Sequence, residues 1–155
     1  MNLKEILVGI EGIKAKGNID LDITNVDSDS RNIKENGMFI AIDGFEVNGI
    51  DYIQNAIENG AKVIMVQETV DLKSISIPED ITLLVVPDTR VALAVCACNF
   101  YDNPSRKFKL IGVTGTKGKT TTTFMIKKIL EKQGKKVGLI GTIAIYIGDK
   151  KIEDS

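Results

Sequence analysis

Apolar positions along the chain follow two periods in turn, and their alternation predicts strands and helices in succession. Leu3 to Val8 reads as a short helix. Ile23 to Val26 and Met38 to Ile42 read as strands, the second closed by the turn signal Asp43-Gly44. After Asn48-Gly49, Tyr52, Ile53, Ala56 and Ile57 fall at helical spacing, with Gly60 as the stop. Lys62 to Val66 is a strand, Asp71 to Asp80 a polar loop carrying a proline, and Thr82 to Val86 a β-branched strand ended by Pro87. Asp88 is placed to cap a helix from Thr89 to about Tyr101. That helix is apolar on nearly every side, which predicts a buried one, and Asn103-Pro104-Ser105 breaks it.

Leu110 to Val113 then reads as a strand feeding a glycine-rich turn. The helix after it carries Met125, Ile126, Ile129 and Leu130 on one face and Lys127, Lys128, Glu131 and Lys132 on the other. Strands at Lys136 to Gly141 and Ile143 to Ile147 follow. Alternating elements of this kind predict an α/β fold with a parallel sheet at least around the glycine turn. Two domains are expected, residues 1–87 and 88–155, the break falling at Pro87 before a newly capped helix. Few residues follow the glycine turn for a complete nucleotide-binding sheet. The second domain is therefore expected to be the opening of a longer one.

The glycine turn carries the chemistry. Gly115-Thr116-Lys117-Gly118-Lys119-Thr120-Thr121, between a strand and a helix, has the context of a phosphate-binding loop. Glycines at 115 and 118 allow positive φ and close approach of phosphate oxygens to the amides. The helix N-terminus favours an anion. Lys119 is placed to reach the β- and γ-phosphates, and Thr120 to bind magnesium. The common pattern G-x-x-x-x-G-K-[ST] is not fully met, because its first glycine falls on Val113. A tight strand-to-helix turn with a chance Gly-Lys-Thr is the plainer alternative.

Composition narrows the function classes. Apolar residues make up 43% of the 155, enough for a core, and the net charge is −1. That balance excludes nucleic-acid or membrane-surface binding that rests on bulk charge. There is no histidine, so the commonest metal ligand and general base are missing. No leader-like or membrane-length apolar run occurs, and a cytoplasmic location is expected. Cys96 and Cys98 have no partners for a metal site and are expected to be buried structural thiols.

Several ordered motifs together resemble the Mur ligases, in particular those of the MurE type. They are Asp29-Ser30-Arg31, Gly37 to Gly44 with Asn48-Gly49, Ala56 to Ala61, Asp88 to Ala94 with Phe100-Tyr101 and Asn103 to Ser105, and the loop Gly112 to Thr122. The resemblance implies an N-terminal domain that binds the UDP of a sugar substrate and a central domain that binds ATP and magnesium. It implies an ATP-dependent amide ligase of peptidoglycan synthesis, acting as a monomer. Its substrates would be UDP-MurNAc-L-Ala-D-Glu and a third amino acid, meso-diaminopimelate or L-lysine. Uridine and diphosphate contacts carry over to Ser28, Ser30, Phe45, Glu46 and Val47, and ATP contacts to Gly115 through Thr121. Lys119 would be catalytic, neutralising charge on the phosphoryl group in transit. Arg31 would either pair with phosphate or hold Asp29 in a salt bridge. Two positions depart from the family pattern: Lys117 replaces the usual Asn, and Phe45 replaces a His or Asn. A P-loop kinase or dethiobiotin-synthetase-like ATPase is the alternative class, although such proteins carry the loop near the N-terminus. A UDP-sugar-binding module without turnover is the other.

Overall fold

A computed structural model describes residues 1–44, 48–71 and 75–154, and it divides into two compact units, Met1–Phe108 and Lys109–Ser155. The first unit is a five-stranded sheet between helices. Its elements are α1 (Leu3–Ile6), β1 (Lys14–Lys16), β2 (Val26–Asp27), β3 (Gly37–Ile40), α2 (Ile53–Glu58), β4 (Ala61–Gln67), β5 (Thr82–Val86) and α3 (Thr89–Phe100). The strand order is β1-β5-β4-β3-β2. The ladders β2–β3, β3–β4 and β4–β5 are parallel, and β1 joins β5 antiparallel, with Ala15 opposite Leu84.

Both faces of this sheet are covered, which explains why β4 is an almost unbroken apolar run. Val63 and Met65 of β4 point to one face, where Met38, Ile40, Leu84 and Val86 meet Leu3 and Ile6 of α1 and Ala92 and Cys96 of α3. Ile64 and Val66 point to the other, where Phe39 and Ala41 meet Ile53 and Ala56 of α2. At about 25 cal/mol per Å² of apolar surface, burial of this order dominates the unit's stability.

The boundary between units lies after Phe108 and not at residue 87. The reason is α3, which packs Ala92 and Cys96 into the first core and is stitched to α1 by Asn99, whose Nδ2 donates to the carbonyls of Ile6 (2.9 Å) and Val8 (2.8 Å). This helix is buried along one stripe only, since Val91 is 60% exposed. Cys98 is likewise exposed while Cys96 is buried, which corrects the expectation of two buried thiols: residues two apart on a helix face nearly opposite ways.

The second unit holds α4 (Lys119–Lys132) against an antiparallel sheet β6-β7-β8, formed by Gly138–Ile140, Ala144–Ile147 and Lys150–Asp154. The parallel strands therefore lie in the first unit. Leu110 to Val113 forms no strand, and no ladder partner faces it among the described residues. Helix α4 also turns a different face inward than its apolar spacing predicts. Lys127 is buried, and its ammonium donates to Glu131 Oε1 at 2.6 Å, while Met125 and Ile129 are exposed. Phe124 packs edge-on against Tyr146, and Lys127 Nζ lies 5.9 Å from the same ring. The lysine's apolar stem fills the interface and its charged end is paired, so the residue serves as a core position.

Candidate functional site

Residues expected to touch a ligand fall into two sets, one in each unit. In the first unit they sit after the C-terminal ends of parallel strands, the edge where open α/β sheets bind ligands. Beyond β2, the carboxylate of Asp27 accepts the Asp29 N–H at 2.8 Å, and Asp29 caps a short 3₁₀ turn, Ser30–Asn32. Ser28 is exposed, whereas Ser30 is buried, and the Ser30 carbonyl accepts from Asn59 Nδ2 at 2.9 Å. Asn59 belongs to the end of α2, so the turn is braced from a distant element. Sequence periodicity carried no sign of this brace.

Arg31 lies against Asp29. Its Nε and Nη2 donate to the carboxylate at 2.9 and 2.6 Å. These hydrogen bonds hold the Asp29 carboxyl down to about 2. Of the two roles open to Arg31, the salt bridge is the one formed here. The pair is exposed, so its Coulomb energy is strongly screened. Arg31 also lines a cleft of about 390 Å³ with Asn25, Asp27, Lys34 and Tyr101.

Beyond β3, the chain forms an isolated bridge between Asp43 and Asn48. Phe45, Glu46 and Val47 lie outside the described residues. Asn48 then caps the 3₁₀ turn Gly49–Tyr52 by accepting the Ile50 N–H at 3.1 Å.

In the second unit the glycine turn has the backbone that a phosphate cradle requires. Gly115 has φ +147 and Gly118 φ +79, both in the region that L side chains avoid. Added Cβ atoms at Gly112 and Gly118 would meet nothing within 4 Å, so the rest of the chain does not crowd these two glycines. Gly118 precedes α4 without any side-chain cap, which leaves the first-turn N–H groups free to bind an anion. Lys119 Nζ donates to the Gly115 carbonyl at 2.7 Å, so the ammonium already lies over the loop. Thr116, Lys117 and Thr121 are exposed and Thr120 is half-buried. Thr123 turns inward and donates to the Thr120 carbonyl at 2.8 Å.

These residues fit a polyphosphate. For magnesium, Thr120 supplies one hydroxyl, and no group of three His, Cys, Asp or Glu side chains gathers among the described residues. An ion there would depend on phosphate oxygens for most of its coordination.

Comparison with known proteins agrees with the two-unit layout. Over 152 residues the chain is 54% identical to the UDP-N-acetylmuramoyl-L-alanyl-D-glutamate--2,6-diaminopimelate ligase of Clostridium tetani, covering 98% of the chain. It is 50% identical over 153 residues to the protein of the same name from Clostridium botulinum, covering 99%. The chain spans 31% of the length of each of these relatives. A solved MurF from Acinetobacter baumannii aligns with a TM-score of 0.54 at 29% identity, over 72% of this chain and 23% of that one. A solved UDP-N-acetylmuramoyl-L-alanyl-D-glutamate--2,6-diaminopimelate ligase aligns with a TM-score of 0.69 over 97% of this chain and 29% of that one, and at 19% identity it speaks for the fold alone. Residues 22–101 match the Mur ligase family, catalytic domain, and residues 113–154 match the Mur ligase middle domain. With more than half of its length under the first of these matches, the chain belongs to the Mur ligase family.

Proposed function

We propose that the chain is the UDP-sugar-binding unit and the phosphate loop of a cytoplasmic, ATP-dependent ligase that adds diaminopimelate to UDP-MurNAc-L-Ala-D-Glu. The observation that carries this reading is the likeness, over nearly the whole chain, to relatives that bear that ligase's name. In the proposed reaction the terminal carboxylate of the D-glutamyl residue attacks the γ-phosphorus of ATP. ADP leaves, and an acyl phosphate forms on the substrate. The amine then attacks the acyl carbon, expels phosphate and gives up a proton.

Each step crowds negative charge around the phosphoryl group, so the protein's task is to position and neutralise. Gly115 to Gly118 would hold the phosphates on backbone N–H groups. Lys119 would leave the Gly115 carbonyl for the β- and γ-oxygens, exchanging a neutral acceptor for a charged one. Magnesium, when bound, screens the same oxygens, and Thr120 is the residue proposed to hold it. No nucleophilic side chain is required, because the substrate carboxylate is itself the nucleophile toward phosphorus. Ser28, Ser30 and Phe45 to Val47 are proposed to hold the uridine diphosphate, and Lys117 is proposed to point to solvent.

The test is Lys119→Ala in the full-length ligase. ATP-dependent ligation should fall by about a hundredfold or more with the fold intact. Activity within a few-fold of wild type removes the assignment. A second reading, in which the 155-residue chain alone binds the sugar nucleotide without turnover, follows from the share of its relatives that it spans. Phosphate release from ATP by this chain would refute that one.

A further inference from the structure

Ser30 opens the 3₁₀ turn Ser30–Asn32 and is only 3% exposed. The turn follows β2, a strand of two residues at the end of the sheet, beside β3. Two neighbouring side chains hold the turn to that strand. Asp27 accepts the Asp29 N–H at 2.8 Å, and Asn25 Nδ2 donates to the Asn32 carbonyl at 3.0 Å. Both belong to the segment that carries the turn, so neither fixes it against another element.

Asn59 supplies that fixing. Its Nδ2 donates to the Ser30 carbonyl at 2.9 Å, across 29 positions of sequence. Asn59 is the C-terminal cap of α2, a helix held in the core by Ile53 and Ala56. Ile33, just past the turn, is buried in the same cluster. The end of α2 is set in place as well, because Gly60 approaches the backbone of Glu35 closely. Among the described residues, Asn59 is the one side chain that bonds to Ser30. Without it the carbonyl keeps the Ile33 N–H at 3.3 Å, so no acceptor is orphaned. Asn59 is itself exposed and belongs to neither core cluster. Losing its amide disturbs overall stability little, yet it releases Ser30 from the helix that sets its place.

We propose that Asn59 is a positioning residue of the UDP-sugar site: by holding the Ser30 carbonyl from α2, it sets Ser30 for the nucleotide. The inference rests on the reading of Ser30 as a contact of the sugar nucleotide. A side-chain amide suits the role, because it donates to a carbonyl and brings no charge of its own beside a diphosphate.

The experiment is titration calorimetry of UDP into the 155-residue chain and its variants Asn59→Ala, Asn59→Asp, Ser30→Ala and the double variant Asn59→Ala/Ser30→Ala. Wild type should bind UDP. Asn59→Ala should bind about three- to tenfold more weakly, the loss of one neutral hydrogen bond. Asn59→Asp keeps the size of the side chain but turns only acceptors toward the carbonyl, and should lose at least as much. Ser30→Ala should also bind more weakly, and the double variant should stay within about twofold of Ser30→Ala, because Asn59 acts through Ser30. All should unfold within a few degrees of wild type. Unchanged affinity in Asn59→Ala overturns the proposal. So do losses that multiply in the double variant, which give Asn59 a route other than Ser30. Should Asn59→Ala not fold, Asn59→Asp decides: weak binding by the folded protein supports the proposal, wild-type affinity refutes it, and failure of both variants to fold makes Asn59 a folding residue instead. If Ser30→Ala binds like wild type, or wild type itself fails to bind UDP, the reading of the site falls, and this inference falls with it.

Discussion

Gly60 ends α2 with φ +105, and a methyl group there would lie 2.7 Å from Glu35 Cα and 3.0 Å from Glu35 N. Hydrogen bonds on both sides resist their moving away. The Lys34 N–H is bonded to Asn25 Oδ1 and the Lys34 carbonyl accepts from Gly37, while Thr24 Oγ1 holds the Glu35 carbonyl at 2.6 Å and Thr24 N–H holds that of Asn36. Gly60→Ala therefore meets two penalties. The positive φ costs about 1–2 kcal/mol, and the overlap with a clamped backbone adds about 1–3 kcal/mol, as overpacking does. Lower entropy of the unfolded chain returns about 0.4–1 kcal/mol. The expected net loss is about 3 kcal/mol, or some 12–20 °C in the unfolding midpoint of a unit this size. Gly9 supplies the control, because its φ is +85 but an added Cβ meets nothing within 4 Å. Gly9→Ala should lose only about 1 kcal/mol, the conformational part alone. Urea unfolding of both variants, followed by circular dichroism, measures the difference directly. Losses equal to within about 0.5 kcal/mol would refute the argument that the collision with Glu35 is the larger effect. The neighbouring Asn59 braces Ser30, so Gly60→Ala should also weaken UDP binding.

Three further outcomes are expected. In the native chain, Cys98 should react with a thiol reagent while Cys96 stays silent until unfolding, because burial pushes the Cys96 thiol up to about 12; two reactive thiols in the folded protein would contradict the placement of α3. The Asp29 carboxyl should titrate near 2 by NMR and rise in Arg31→Ala without reaching its ordinary value, because the backbone N–H of residue 31 still donates to it; since its folded value is the lower one, its stabilising effect is present above about pH 4 and is lost as pH falls toward 2. Asn99→Ala should cost about 1–2 kcal/mol and speed hydrogen exchange in the first ten residues, and unchanged exchange there would exclude a stitching role.

Much of the first unit was legible because its patterns answer to local rules. Asp88 caps its helix as the residue type suggests, and Thr82 to Val86 is a strand with the expected bounds; in the second unit Gly115 and Gly118 take the positive φ expected of them. What was missed depends on partners distant in sequence. Lys14 to Lys16 has no apolar pattern and becomes a strand only because β5 offers its edge. Lys150 to Asp154 reads as a charged tail and becomes β8 by pairing with β7. The core position of Lys127 requires Tyr146 on the facing sheet as well as Glu131 one turn along its own helix, and periodicity alone does not report the sheet contact. At the site, ordered motifs name Ser28, Ser30, Arg31 and the loop as candidates, whose ligand roles are proposals. Asn59 lies within the Ala56 to Ala61 motif, but its bracing role could not be read there because it acts through a backbone carbonyl far away in sequence.

The tie between Asn99 and the first helix bears on how the unit is made. Residues 6 and 8 wait for a partner more than ninety positions later, and β1 waits for β5. During synthesis residues 1–3 can pair early with residues 21–23, but the ties of residues 6 and 8 to Asn99 close only when α3 has emerged. Until α3 arrives, one face of the sheet lies open to solvent, and that interval is when the nascent protein is most exposed to proteases and to association with other chains.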